Sequence, residues 1–125
     1  MIDKIGAVIL KDKKMLVARG KKYDIFFVPG GKRESGETDE QTLRREIEEE
    51  LGCQIKGIKY YKTFITEASG ISGKVKVAAY FCELVGEPRP CNEIEEIAWI
   101  GKNDKAKLGN VLKVMIPQLE KDGFL

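Results

Sequence analysis

Not one of the 125 residues is a histidine, and this absence removes a large part of enzyme chemistry. Imidazole is the commonest metal-binding side chain and the base of Ser-His-type triads, so zinc sites and such triads are excluded or nearly so. Cysteine is scarce: Cys53, Cys82 and Cys91 are odd in number and lack metal-site spacing, which suits reduced thiols. No apolar stretch approaches the roughly 20 residues needed to cross a bilayer, and no apolar run preceded by positive charge opens the chain, so a cytoplasmic location is expected. A net charge of +2 gives no argument for duplex nucleic acid or an anionic membrane as partner. No internal repeat, low-complexity tract or linker is present. With 42% hydrophobic and 34% charged residues, the chain reads as one domain over 1–125, long enough to bury a core and too short for two.

What is present concentrates in residues 31–53, GKRESGETDEQTLRREIEEELGC. Thr38 followed three residues later by Gln41 matches a capping box, and Asp39 and Glu40 put negative charge where a helix dipole favours it. The pattern predicts a helix over Asp39–Leu51, closed by Gly52 in a left-handed conformation. At about 100° per residue, Leu43, Ile47 and Leu51 form an apolar stripe that should pack against a sheet. Glu46, Glu49 and Glu50 fall beside that stripe at i, i+3 and i+4, and Glu48 points away to solvent. Three carboxylates on one face repel one another, and a hard cation with oxygen ligands, such as Mg²⁺, relieves that strain. A solvated acidic face is the alternative for such a run taken alone.

The remaining chain alternates strands with one further helix. Ile5 to Leu10 and Met15 to Ala18 read as a hairpin around Lys11–Lys14, and Phe26 to Val28 as a short strand stopped by Pro29-Gly30-Gly31. Ile55 to Ile65 and Val75 to Leu84 read as longer strands joined by a loop from Glu67 to Gly73, and Ile97 to Ile100 as a last strand. Lys105 to Lys121 reads as an amphipathic helix with Leu108, Leu112, Met115, Ile116 and Leu119 inward, weakened by Gly109 and kinked at Pro117. This is an α/β pattern.

The spacing Gly31, Glu37, Arg45-Glu46-Ile47, Glu49-Glu50, Gly52 resembles the Nudix box, G-x5-E-x7-R-E-U-x-E-E-x-G-U, where U is bulky and aliphatic. Seven fixed residues at background frequencies match by chance on the order of 10⁻⁸ per starting position. Cys53 departs from the final aliphatic position, yet a free cysteine is itself a small buried hydrophobe. The resemblance extends to Phe27-Val28-Pro29-Gly30-Gly31 and to Glu95-Glu96-Ile97-Ala98-Trp99. It implies a mixed β-sheet sandwiched between helices (α/β/α), and water-driven cleavage of a nucleoside diphosphate linked to another group, with Mg²⁺ or Mn²⁺ as cofactor. It also implies Glu46, Glu49, Glu50 and the Gly30 carbonyl as metal ligands, and a supporting Glu37–Arg45 ion pair. The general base stays open among Glu46, Glu93, Glu95 and Glu96, because family members differ. A monomer or homodimer is the family's common state.

Substrate choice lies outside the box. No proline follows it before Gly86, as the ADP-ribose group would have, and the coenzyme A group's histidine-bearing motif is impossible here. The tyrosines at 60, 61 and 80 are misplaced for the dinucleoside polyphosphate group. Elimination favours the MutT-type branch, which converts nucleoside triphosphates, oxidised dNTPs among them, to monophosphate and pyrophosphate. The alternatives are hydrolysis of ADP-ribose, a nucleotide sugar or another diphosphate-linked metabolite, and a nucleotide sensor without turnover. Arg19, Lys21, Lys22, Lys32 and Arg33 are candidate phosphate contacts. Phe27, Phe64, Tyr80 and Trp99 are candidate base-stacking faces against a default of core packing. Asn103 and Asp104 either read a base edge or cap the final helix.

Overall fold

The computed structural model describes residues 1–125. In chain order the elements are β1 (Ile2–Val8), β2 (Leu10–Lys11), β3 (Lys14–Gly20), β4 (Gly30–Lys32), α1 (Asp39–Leu51), β5 (Gln54–Glu67), β6 (Lys74–Val85), β7 (Ile94–Ile100) and α2 (Asn110–Lys121). They form a four-stranded mixed sheet, β4-β1-β6-β5, and a three-stranded sheet, β2-β3-β7. Within the first sheet β1 and β6 run parallel, while β4 and β5 pair antiparallel to their neighbours.

The first apolar run is divided between these sheets. β1 ends at Val8, the Ile9 carbonyl accepts from Leu16 N at 2.9 Å, and Leu10–Lys11 then pairs with Lys14–Met15. The expected hairpin is there, turned by Asp12 and Lys13 at φ 52° and 61°, which matches the twist a two-residue loop requires. The switch at Ile9 lets alternate side chains serve two layers. Ile5, Ala7 and Leu16 pack against Leu43, Ile47 and Leu51 of α1. Val8, Met15 and Val17 pack with Ile100 against Leu112, Met115, Ile116 and Leu119 of α2. The sheets thus lie between two helices, an α/β arrangement.

Several strand ends shift, the last strand beginning at Ile94 rather than Ile97, and two assignments differ in kind from the sequence expectation. Phe26 to Val28 is no strand, making only single bridges, Ala18 with Phe27 and Phe26 with Leu108. Pairing is carried instead by Gly30–Lys32, which the Pro-Gly-Gly signal marked as a stop. Gly30 stands at φ 141°, and a Cβ there would lie 2.0 Å from the Ile5 carbonyl oxygen, so glycine is what permits this approach to β1. Likewise α2 begins at Asn110, not Lys105. Gly109 occupies the N-cap and its N–H donates to the Phe26 carbonyl at 2.9 Å, while Phe26 N donates to Lys107 O at 2.8 Å. These tertiary bonds hold 107–109 extended, and the helix runs on through Pro117 to Lys121.

Helix α1 matches its expected bounds, with both arms of the capping box formed and Gly52 at φ 68°. Its last turn carries no basic side chain. The segment from Arg89 to Asn92 supplies donors instead: Arg89 N to Leu51 O and Cys91 N to Glu50 O, both 3.0 Å, and Asn92 Nδ2 to Glu49 O at 2.7 Å. Orphan carbonyls that a lone helix leaves to water are satisfied by a distant loop. Cys53 is 3% exposed, so it fills the aliphatic position, and burial lifts the Cys82 thiol to about 12.

Met115 is wholly buried between α2 and both sheets. Met115→Ala is expected to cost about 2–5 kcal/mol, read from the shift of a urea unfolding midpoint at unchanged slope.

Candidate active site

The box loop is fastened to α1 by charge. Arg45 donates from Nε to Glu37 Oε2 at 2.7 Å and from Nη2 to Glu37 Oε1 at 2.9 Å, a two-pronged pair with little solvent around the 17%-exposed Glu37 side chain. Glu37 also accepts from Thr42 Oγ1 at 3.0 Å and Glu34 N at 2.8 Å. These contacts, Arg45 foremost, hold its carboxyl at about 2, and Glu37 in turn raises the Arg45 guanidinium further above its usual range. Arg45 continues to Glu46 Oε1 at 2.9 Å and to the Lys32 carbonyl at 3.1 Å. One guanidinium therefore sets the loop, the helix and an acidic side chain relative to one another.

The three box glutamates take up different environments. Glu50 Oε1 accepts from Gly30 N at 2.9 Å, and burial pushes its pKa up to about 8. Burial also raises Glu46, against the pull of Arg45. Glu49 is 53% exposed and 3.7 Å from Arg45. The charge of Glu93 reaches both Glu46 and Glu50, whereas Glu96 is paired with Arg19 at 3.2 Å. The carboxylates do not close into a preformed cage. Their chemistry nevertheless fits a hard divalent ion: the donors are carboxylate oxygens, and the largely buried Glu50 has no cation in hydrogen-bonding contact, so a bound cation would hold it ionised. Glu46, Glu49, Glu50 and the Gly30 backbone are the groups placed to hold one.

A cleft of about 340 Å³ opens beside Glu50, Gly30 and Gly31. Its walls are mainly apolar, with Ile2, Val75 and Val77 from the mixed sheet and Leu112 from α2. Phe27 stands edge to face with Tyr23, ring centres 5.5 Å apart. The loop after β5 closes the far end. Ser69 Oγ accepts from Asn110 N at 2.7 Å, and Asn110 Nδ2 donates to Glu67 O at 3.1 Å.

Of the sequence-predicted substrate contacts, only Phe27 lines this cleft. Arg19 is held by Glu96 and the Tyr23 carbonyl, and Arg33 by Asp3 at 2.8 Å and Asp39 at 2.7 Å. Lys32 lies outside the cleft and contributes its carbonyl to Arg45. Asn103 sits in a separate surface hollow with Lys13 and Lys102, and Asp104 accepts from Gly101 N rather than capping α2. Phe64 packs in the α2 core, Trp99 in the α1 core, and Tyr80 donates to Asp39. Glu48 is not merely solvated, since Gln54 Nε2 donates to it at 2.7 Å. Sequence reasoning missed Lys4, Tyr23 and Asn110, which line the cleft. The only signal for Lys4 was a charge on a strand otherwise rich in apolar residues, and its neighbours come from strands distant in sequence.

An acidic helix edge thus meets a glycine loop beside an apolar cleft between sheet and helix, in an α/β protein. The chain belongs to the NUDIX domain family, whose model matches residues 2–119. It is 41% identical over 59 residues, 47% of its length, to the 8-oxo-dGTP diphosphatase of Haemophilus influenzae, covering 40% of that protein. The match spans less than half of each curated relative's own length. Among solved structures, the MutT NUDIX hydrolase from Burkholderia pseudomallei superimposes with a TM-score of 0.82 at 24% identity, covering 94% of this chain and 97% of the other. A UDP-X diphosphatase superimposes at 0.80 with 25% identity, over 95% of this chain and 59% of the other.

Two glycines separate fold from site. A Cβ on Gly31 would come within 2.5 Å of the Glu46 carboxyl carbon, at the mobile end of a side chain. Gly31→Ala is expected to stay folded while displacing Glu46, seen as weakened Mn²⁺ binding by electron paramagnetic resonance. Gly30→Ala drives a Cβ into backbone at a positive φ, and should cost more than about 2 kcal/mol in thermal unfolding. The Glu37 pair makes a pH prediction. A carboxyl depressed in the folded state stabilises above its unfolded pKa near 4.5 and loses that contribution as pH falls toward 2. The unfolding midpoints of wild type and Glu37→Gln should differ at pH 7 and converge as pH drops below about 4.

Proposed function

We propose that this chain is a Mg²⁺- or Mn²⁺-dependent pyrophosphohydrolase that converts a nucleoside triphosphate to monophosphate and pyrophosphate. The observation that carries this reading is the position of Glu50. It belongs both to the acidic edge of α1 and to the lining of the apolar cleft, so a phosphate chain and a base have adjoining sites. The relative named 8-oxo-dGTP diphosphatase supports it.

In this mechanism Glu46, Glu49 and Glu50 present oxygen donors along one helix edge, and Arg45 fixes the orientation of Glu46. These side chains and the Gly30 backbone would hold a divalent cation, which would supply charge neutralisation at phosphate oxygens and a more acidic water. Gly31 gives the Glu46 carboxylate room, and the Gly30 N–H keeps Glu50 turned toward the cleft mouth. Glu46 and Glu93 are the candidates for taking the proton of the attacking water. Glu96 is engaged with Arg19, and the charge of Glu93 is felt at two of the box glutamates. The apolar walls hold the base and exclude water from the reacting end.

A second reading, hydrolysis of a nucleotide sugar or a related diphosphate-linked metabolite, is favoured by the likeness to a UDP-X diphosphatase. It yields a sugar phosphate and no pyrophosphate. A sensor without turnover fits poorly with an intact glutamate set.

A nucleotide panel assayed with Mg²⁺ and with Mn²⁺ for phosphate and pyrophosphate distinguishes these readings. Glu49→Gln and Glu50→Gln are expected to lower kcat by about 10²-fold or more while circular dichroism stays unchanged. Full activity in either variant defeats the assignment.

A further inference from the structure

Every cation that sequence reasoning aimed at the substrate is either outside the cleft or engaged by a carboxylate. Lys4 is the one cationic side chain in the lining. It lies on β1 between Ile2 and Gly6, on the face that carries Val75 and Val77 of the adjoining strand. No hydrogen bond or ion pair holds its ammonium, although Asp3, its sequence neighbour, is taken up by Arg33 on the opposite face. Its charge reaches Glu50 in the same lining without a direct contact, so the half-buried ammonium keeps its donors available for a ligand that accepts from it.

Position indicates what that ligand offers. Gly6 pairs with Gly30, whose N–H holds Glu50, so the acidic corner lies level with Gly6. Lys4 is two residues along the strand, about 7 Å from that corner, in the direction of Ile2 and the loop at Ser69. If phosphates occupy the acidic corner, Lys4 stands beside the base. An ammonium has three donors and no acceptor. It pairs with the O6 and N7 acceptors of guanine and opposes the exocyclic amino donor of adenine.

We propose that Lys4 is a specificity-determining residue that reads the acceptor edge of the base, so that the chain selects a guanine-type nucleotide over an adenine one. The proposal rests on the reading of this cleft as a nucleoside triphosphate site. Asn110, across the cleft, keeps its side-chain carbonyl free while its amide donates to Glu67, which leaves an acceptor for a base donor on the opposite side.

The test compares wild type with Lys4→Met, which keeps the length of the side chain and removes the charge. Steady-state kcat/KM is measured on dGTP and dATP, and binding of dGMP and dAMP is measured by calorimetry without metal. Wild type is expected to prefer dGTP, and Lys4→Met to lose about 10–100-fold on dGTP and dGMP with less than about threefold change on dATP and dAMP. An equal loss on both bases assigns Lys4 to the phosphates and overturns the proposal while the hydrolase reading stands. An unchanged variant, or a wild type that prefers dATP, also overturns it. If wild type neither hydrolyses nor binds any of these nucleotides, the reading of this cleft as a purine nucleoside triphosphate site fails instead.

Discussion

The two-pronged ion pair between Glu37 and Arg45 is the constraint on which the rest of the site depends. Its direct effect is to fix the loop at 33–37 on helix α1, and its indirect effects are larger. Arg45 also grips the Lys32 carbonyl at the end of β4, so the strand that carries Gly30 and Gly31 is set in height against the helix. The same guanidinium turns Glu46 toward the glycines. An exposed pair of this kind would contribute little, but this one is two-pronged, partly covered and backed by Thr42 and the Glu34 N–H.

On that frame, burial generates the chemistry. Burial pushes the Glu50 carboxyl up to about 8, and the donor it meets is a single backbone N–H. A carboxyl in such a place resists ionisation unless positive charge arrives. The fold thereby places a carboxyl that resists ionisation at the junction of the acidic helix edge and the apolar cleft. Gly30 makes the position available, because no other residue could lie so close to the β1 backbone.

Helix α1 was legible to the residue because all its determinants are local: a capping box, a three-to-four apolar stripe and a terminal glycine. The Glu37–Arg45 partnership was readable from the box pattern. The start of α2 was not. Nothing near Lys105 announces that Phe26 will hold the backbone at 107–109 extended. The strand at Gly30–Lys32 was hidden for a related reason, since Pro-Gly-Gly reads as punctuation until a neighbouring backbone is close enough to pair with. The basic candidates were misplaced because a sequence shows charge and not its partner. Arg19 and Arg33 found Glu96, Asp3 and Asp39, residues far along the chain or on another layer.

By itself the sequence determined the family's box, the acidic edge of its helix and the α/β pattern, since these rest on spacing along one short segment where periodicity fixes which side chains share a face. The tertiary structure alone decided that Lys4, Tyr23 and Asn110 share a cleft with Phe27 and that Glu93 bears on the box glutamates. Those neighbours come from β1, the segment after β3, the loop before β7 and the first turn of α2. Only the packing of both helices against the strands brings them together.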